Sequence, residues 1–135
     1  RIRMIVASFL TKHLMTDWRV GQNWFSECLI DWDPASNAMG WQWAAGSGPD
    51  ASPFFRIFNP ESQAARFDPK SRYINNYLNV AQTGHFSESA RNYFLMVPKS
   101  WKLNISTPYP ERLVSLQEGR QRALEAYAGL KKLTQ

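Results

Sequence analysis

Cysteine is nearly absent from this 135-residue chain, Cys28 being the only one. A single thiol forms no intrachain disulfide and no cysteine-rich metal site, so Cys28 is expected as a small core residue in a reducing compartment. Histidine is almost as scarce. His13 and His85 lie far apart and neither has the companion spacing of a metal ligand, which leaves a structural or surface role for each and no metal expected. Long apolar runs are missing too: none approaches the roughly 18 to 20 residues needed to span a bilayer. Arg1, Arg3, Lys12 and His13 surround a periodic apolar face at the start of the chain, which is unlike a signal sequence. The expectation is a soluble, cytoplasmic protein with no membrane partner. There is no phosphate loop, zinc spacing or dinucleotide fingerprint, and Ser26, Cys28 and His13 make no recognisable nucleophile motif. No stretch alternates convincingly between apolar and polar residues, so the predicted fold class is all-α.

What is present suits a globular domain with one core. Hydrophobic residues make up 44% and aromatics 14%, in a length ample for one domain and short for two. The formal charge of +5 is unevenly placed, +1 over residues 1–80 and +4 over 81–135. A basic surplus suits a polyanionic partner, although many basic domains bind nothing charged.

Ile2, Ile5, Val6, Phe9, Leu10, His13 and Leu14 recur at three- and four-residue steps, the stripe of an amphipathic helix. With no initiator Met and no cap before Arg1, the chain is expected to begin inside a helix of something longer. Asp17 to Gln22 reads as a connection, followed by a second helix through Trp24, Phe25, Cys28 and Leu29 that ends before Asp31. Gly46 to Pro53 is a loop on its Gly and Pro content. The aromatics of residues 54–58 are expected to pack inward. Pro60 could open a short helix capped by Asn59, and Asp68-Pro69 starts another carrying Tyr73, Ile74, Tyr77 and Leu78. Ser87 to Met96 has some helical character, and Val97 to Pro110 reads as largely irregular. A last helix from about Glu111 to Leu133 places Leu113, Leu116, Arg120, Leu124, Tyr127 and Leu130 near one stripe, with Lys131 and Lys132 at its negative end.

The chemistry concentrates in Asp31-Trp32-Asp33-Pro34-Ala35-Ser36-Asn37-Ala38-Met39-Gly40-Trp41-Gln42-Trp43. Asp33 followed by Pro34 is a helix start: the carboxylate accepts from first-turn amides while Pro gives up no needed donor. The helix runs to about Ala45 and stops at Gly46. Asn37 and Trp41, four apart, share one face above Asp33. Two carboxylates, an amide and an indole thus converge, a set that is expensive to bury for structure alone. A purely structural reading stays open, with Arg3 and Asp31 as a core ion pair, Asn37 as a satisfied helix amide and the six tryptophans as core aromatics.

This stretch, with residues 1–12, Asp17-Trp18-Arg19, Gly40 to Ala45, and Phe55-Arg56-Ile57-Phe58-Asn59-Pro60 with Gln63, resembles in order the flavin-binding helical domain of DNA photolyases and cryptochromes. It is most similar to the bacterial cyclobutane pyrimidine dimer photolyases. The likeness covers about the first eighty residues, is poor from Ala81 to Thr107, and returns at Tyr109-Pro110 and Arg122 to Tyr127. It implies a flavin- and lesion-facing helical core at 1–80, then a divergent connection and a basic C-terminal helix of the same domain at 81–135. It implies FAD as cofactor, with Arg3 pairing Asp31 beside the flavin, Asp31 and Asp33 flanking it, and Asn37 opposite ring nitrogen N5. Trp41 is implied as the proximal and Trp18 as the middle member of an electron relay. Met4 and Trp43 would wall a flipped-out lesion, and Arg1, Arg56 and Gln63 would contact DNA. The implied reaction is a light-driven carbon–carbon bond cleavage of pyrimidine dimers in DNA, by electron transfer from excited reduced FAD. These 135 residues alone are not expected to repair DNA, the missing upstream part or a second copy of the chain being the further partner. Two alternatives stand beside this reading: a blue-light receptor of the cryptochrome type, and a truncated, non-enzymatic module that binds DNA or protein.

Overall fold

The computed structural model describes residues 1–51, 56–72, 92, 95–96, 98–101 and 114–133. Helix α1 spans Ile2–Ser8 and runs into a π-helical turn, Phe9–His13; α2 is Trp18–Cys28, α3 Pro34–Ala45, α4 Pro60–Phe67 and α5 Leu116–Leu133. A 3₁₀ turn covers Lys99–Trp101. The described residues hold no strand, in agreement with the all-α expectation. None of their helices is long and apolar enough to cross a membrane.

Two compact units divide the chain, residues 1–60 with 113–135, and residues 61–112. In the first, α1 and α2 each pack on α3, and α5 packs on the π-helical turn. The core is small: Ala7, Trp41 and Ala44 are buried together, with Leu10, Trp18, Phe25 and Trp43 packed around them. Phe58 is also buried, and its N–H donates to the Ser8 hydroxyl at 3.1 Å. The second unit contains α4 after its first residue, and the Asp68 carboxylate, which accepts from the Arg72 N–H at 2.8 Å. The helix expected to carry Tyr73, Ile74, Tyr77 and Leu78 lies outside the described residues, as do Phe54, Phe55, His85 and most of 87–110.

Several helix boundaries depart from the sequence expectation, each for a local reason. Asp17 to Gln22 is not a connection: Asp17 is the N-cap of α2, accepting from the Arg19 N–H at 2.9 Å, so the helix begins at Trp18. The last helix starts at Leu116, after Ser115, whose hydroxyl accepts from the Glu118 N–H at 3.0 Å. Its inward face is also shifted, since Gly119 and Ala123 are buried while Arg120 and Leu130 are exposed. Cys28, the last residue of α2, is exposed rather than part of the core.

The stripe of the first helix is rotated as well. Ile2 and Val6 are exposed, whereas Lys12 and His13 are buried. The burial of Lys12 follows from the π-helical turn, in which the Leu14 N–H donates five residues back to the Phe9 carbonyl at 3.1 Å. One extra residue per turn swings the following side chains round the axis and turns Lys12 inward beside His13. Lys12 then reaches the carbonyl of Ala45 at 2.6 Å and puts a cation on the negative end of α3. Burial lowers its pKa to about 8. The end of α3 is closed by Gly46 in the left-handed region, φ 82°, with N–H groups of Gly46 and Ser47 bonded back to the Gln42 carbonyl at 3.0 Å each.

Candidate functional site

Helix α3 is the site's spine, and its start follows the sequence expectation residue for residue. Asp33 caps it, accepting from the Ser36 N–H at 2.7 Å, and Pro34 takes the first helical position. That amide bond, followed by the Ser36 hydroxyl, holds the Asp33 carboxyl below the usual carboxylate range. The 3.6-residue repeat then aligns Ser36, Asn37, Gly40, Trp41 and Trp43 along one wall of a cavity of about 290 Å³. Helix α1 and its cap contribute Arg1, Arg3, Met4 and Ala7, α2 contributes Phe25, and Leu29 and Asp31 come from the connection to α3.

Three features give the cavity its chemistry. Arg3 donates to Asp31 at 2.6 Å, and this contact keeps the Asp31 carboxyl below its ordinary range. Both side chains are more than half exposed, at 54% and 70%, so this is a rim pair and not the core ion pair of the structural reading. Nor are the two carboxylates buried. Asn37 is only half satisfied: its amide donates to the Gln22 carbonyl at 2.9 Å, while its buried Oδ1 has no hydrogen-bond partner among the described residues. Trp41, 2% exposed, likewise keeps an unpartnered Nε1. Buried acceptors and donors left in this state cost about 1–3 kcal/mol each, a cost that a bound polar ligand removes. Phe25 meets the Trp41 ring edge-on at a centroid distance of 4.9 Å and so fixes the indole from one side.

The structure thus brings together Arg1, Arg3, Met4, Asp31, Asp33, Asn37, Trp41 and Trp43 around one cavity. Trp18 is not on its wall but packs behind it, against the Ala7–Trp41–Ala44 cluster. Arg56 is also off the wall, with its guanidinium 4.7 Å above the Phe58 ring. Gln63 is half-buried on α4, in the second unit. Ala7, Phe25, Leu29, Ser36 and Gly40 line the cavity without having been singled out in the sequence. Helical spacing from the residues that were would have found most of them: Ala7 is four beyond Arg3, and Gly40 is three beyond Asn37. Among the described residues, no three His, Cys, Asp or Glu stand close enough to hold a metal ion.

A helical domain with a half-polar cavity, sized at the lower end of small-molecule sites, is the class that this fold and site define. Residues 1–129 match the family model described as the FAD binding domain of DNA photolyase, and the chain belongs to that family. It is 45% identical over 142 residues to the deoxyribodipyrimidine photo-lyase of Agrobacterium fabrum, covering 99% of this chain and 28% of the relative. The enzyme of the same name from Escherichia coli is 40% identical over 134 residues, 98% of this chain and 27% of its own length. Among solved structures, a bacterial class III photolyase from Agrobacterium tumefaciens superposes with a TM-score of 0.73 at 46% identity, covering 98% of this chain and 28% of that one. A Synechocystis cryptochrome gives 0.67 at 33% identity, covering 91% and 26%. The chain therefore spans little more than a quarter of the length of the relatives it matches.

FAD is the cofactor of this family, and the cavity residues fit its ring system. A flavin ring has an amide-like edge with both donors and acceptors, which answers the unpartnered Asn37 Oδ1 and Trp41 Nε1. Arg3 would offer positive charge to a reduced, anionic ring, and Met4, Phe25, Leu29 and the two indoles give the cavity an apolar lining suited to one. A volume of about 290 Å³ is in the range of a ring system rather than of a whole dinucleotide.

Proposed function

We propose that this chain is the flavin-ring and lesion-facing part of a light-driven DNA repair enzyme that splits cyclobutane pyrimidine dimers. The observation that carries the reading is the cavity itself, whose lining combines an Asn37 with a buried carbonyl that has no hydrogen-bond partner among the described residues, an Arg3–Asp31 pair and aromatic side chains. Reduced FAD, when bound, supplies an electron to the dimer on absorbing light and takes it back once the ring has opened. The chain's residues set the conditions for that exchange.

In this reading Asn37 Oδ1 accepts from a ring N–H, its amide being held in place by the Gln22 carbonyl. Arg3 stabilises negative charge on the ring, and Asp31 and Asp33 fix the arginine and the start of α3. Met4 and Trp43 form the lesion side of the wall, with Arg1, Arg56 and Gln63 meeting phosphates of the DNA. Trp41, at the cavity, and Trp18, behind it in the same cluster, are the inner two members of an electron path to the ring. No side chain is required to act as a general acid or base. Holding flavin and lesion close and dry is the protein's part.

The test is the visible absorption of the purified chain after incubation with FAD and removal of free cofactor, for the wild type and for Asn37→Leu. Retained flavin bands in the wild type, reduced at least tenfold in Asn37→Leu, are the expected result, with no dimer repair by the 135-residue chain alone. A colourless wild-type chain, or equal retention by the variant, would overturn the assignment of the cavity.

A further inference from the structure

Trp41 is the most completely buried large side chain on the cavity wall, and what holds its far end is the absence of a side chain on α2. A β-carbon at Gly21 would stand 2.1 Å from Cη2, 2.4 Å from Cζ3 and 2.6 Å from Cζ2 of the Trp41 indole. Those are the three atoms at the tip of the six-membered ring, so the tip rests directly against the Gly21 backbone. Real β-carbons do not approach other atoms so closely. Any other residue at position 21 must move the indole or part α2 from α3. Phe25, one turn further along the same helix, meets the same ring edge-on and restricts the other direction of movement.

We infer that Gly21 is a positioning residue for the ligand cavity: the space left by its missing side chain sets where the Trp41 indole stands, and thereby how deep a ring the cavity admits. Gly21 does not itself line this cavity, and the atoms its missing side chain makes room for are those of Trp41. The ligand named, a flavin ring, rests on the function proposed above, whereas the placement of the indole does not.

The experiment compares the wild-type chain with Gly21→Ala, Trp41→Phe and the double variant. The first readout is the Trp41 indole N–H resonance in the flavin-free protein, identified by its disappearance in Trp41→Phe; the second is FAD affinity by titration of flavin fluorescence. Gly21→Ala is expected to shift that resonance clearly beyond those of the other tryptophans and to weaken FAD binding at least tenfold. A phenylalanine lacks the atoms that meet Gly21, so in the Trp41→Phe background the same substitution is expected to change affinity less than threefold. An unmoved resonance, or an equal loss of affinity in both backgrounds, would overturn the inference, and the second comparison decides it even if Gly21→Ala alone folds poorly. A wild-type chain that takes up no FAD would refute the flavin reading and leave the resonance shift to decide the indole's placement.

Discussion

Gly119 sits inside α5, where helix propensity and packing make opposite demands. Replacing a helical Gly by Ala gains about 0.8–1.0 kcal/mol from backbone entropy alone. At this position, however, the new β-carbon would lie 3.0 Å from His13 Cδ2 and 3.1 Å from both Cα and Cβ of His13. His13 has little freedom to yield. It is 1% exposed, its ring stacks on Phe9 at 5.2 Å, and its carbonyl accepts from Arg122 on the same helix. Crowding of a fixed neighbour costs about 1–3 kcal/mol, so the net effect of Gly119→Ala is a loss of about 1 kcal/mol. For a chain of this length the thermal midpoint should fall by about 4 °C. Gly129, in the same helix, is the control, because a β-carbon there meets nothing within 4 Å. Gly129→Ala should raise the midpoint by a few degrees, its gain reduced by its nearness to the helix end. Thermal unfolding followed by far-UV circular dichroism gives both signs in one series. A rise of similar size in the two variants would show that the α5–His13 contact is not a packed one and would refute the argument.

Two further predictions concern the same unit. The Lys12 ammonium is held less well in the folded chain, at a pKa of about 8 against 10.5, so between those values the unfolded state binds more protons and stability rises with pH. The 2.5-unit difference corresponds to about 3 kcal/mol, and urea unfolding of wild type against Lys12→Met between pH 7 and 11 should show the wild-type gain disappearing in the variant; parallel profiles would exclude it. Ser115→Ala removes the hydroxyl that accepts from Glu118 and should cost about 1 kcal/mol, with amide exchange rising first in the opening turn of α5, whereas an unchanged exchange rate there would mean the cap is inert.

The legible parts of the chain were those whose cause is local. Asp33-Pro34 and Gly46 are a cap and a stop made from neighbouring residues, and α3 begins and ends where they put it. The helical repeat was enough to put Asn37 and Trp41 on one face of α3, whereas the part that α1 plays in the wall came from the family likeness alone. The π-helical turn was illegible because a pattern read at 3.6 residues per turn cannot register an inserted residue, and Lys12, which the stripe left out, is consequently buried beside His13. The packing role of Gly119 was illegible because its partner, His13, is more than a hundred residues away. Trp18 was placed by likeness on an electron path, but its own sequence neighbourhood said only that an indole would be buried. Arg56 and Gln63 belong to no helix repeat shared with α3, and spacing had no means of placing them.

Among the described residues, those on the cavity wall lie within the first 43 positions of the chain. Its assembly therefore requires only short loop closures between consecutive helices, the kind of contact that forms early and quickly. The latch between Arg122 and His13 bridges 109 residues and must wait for a far slower encounter. Substitutions or length changes in the long stretch between α4 and α5 can alter when the latch closes, while the walls of the cavity are already standing.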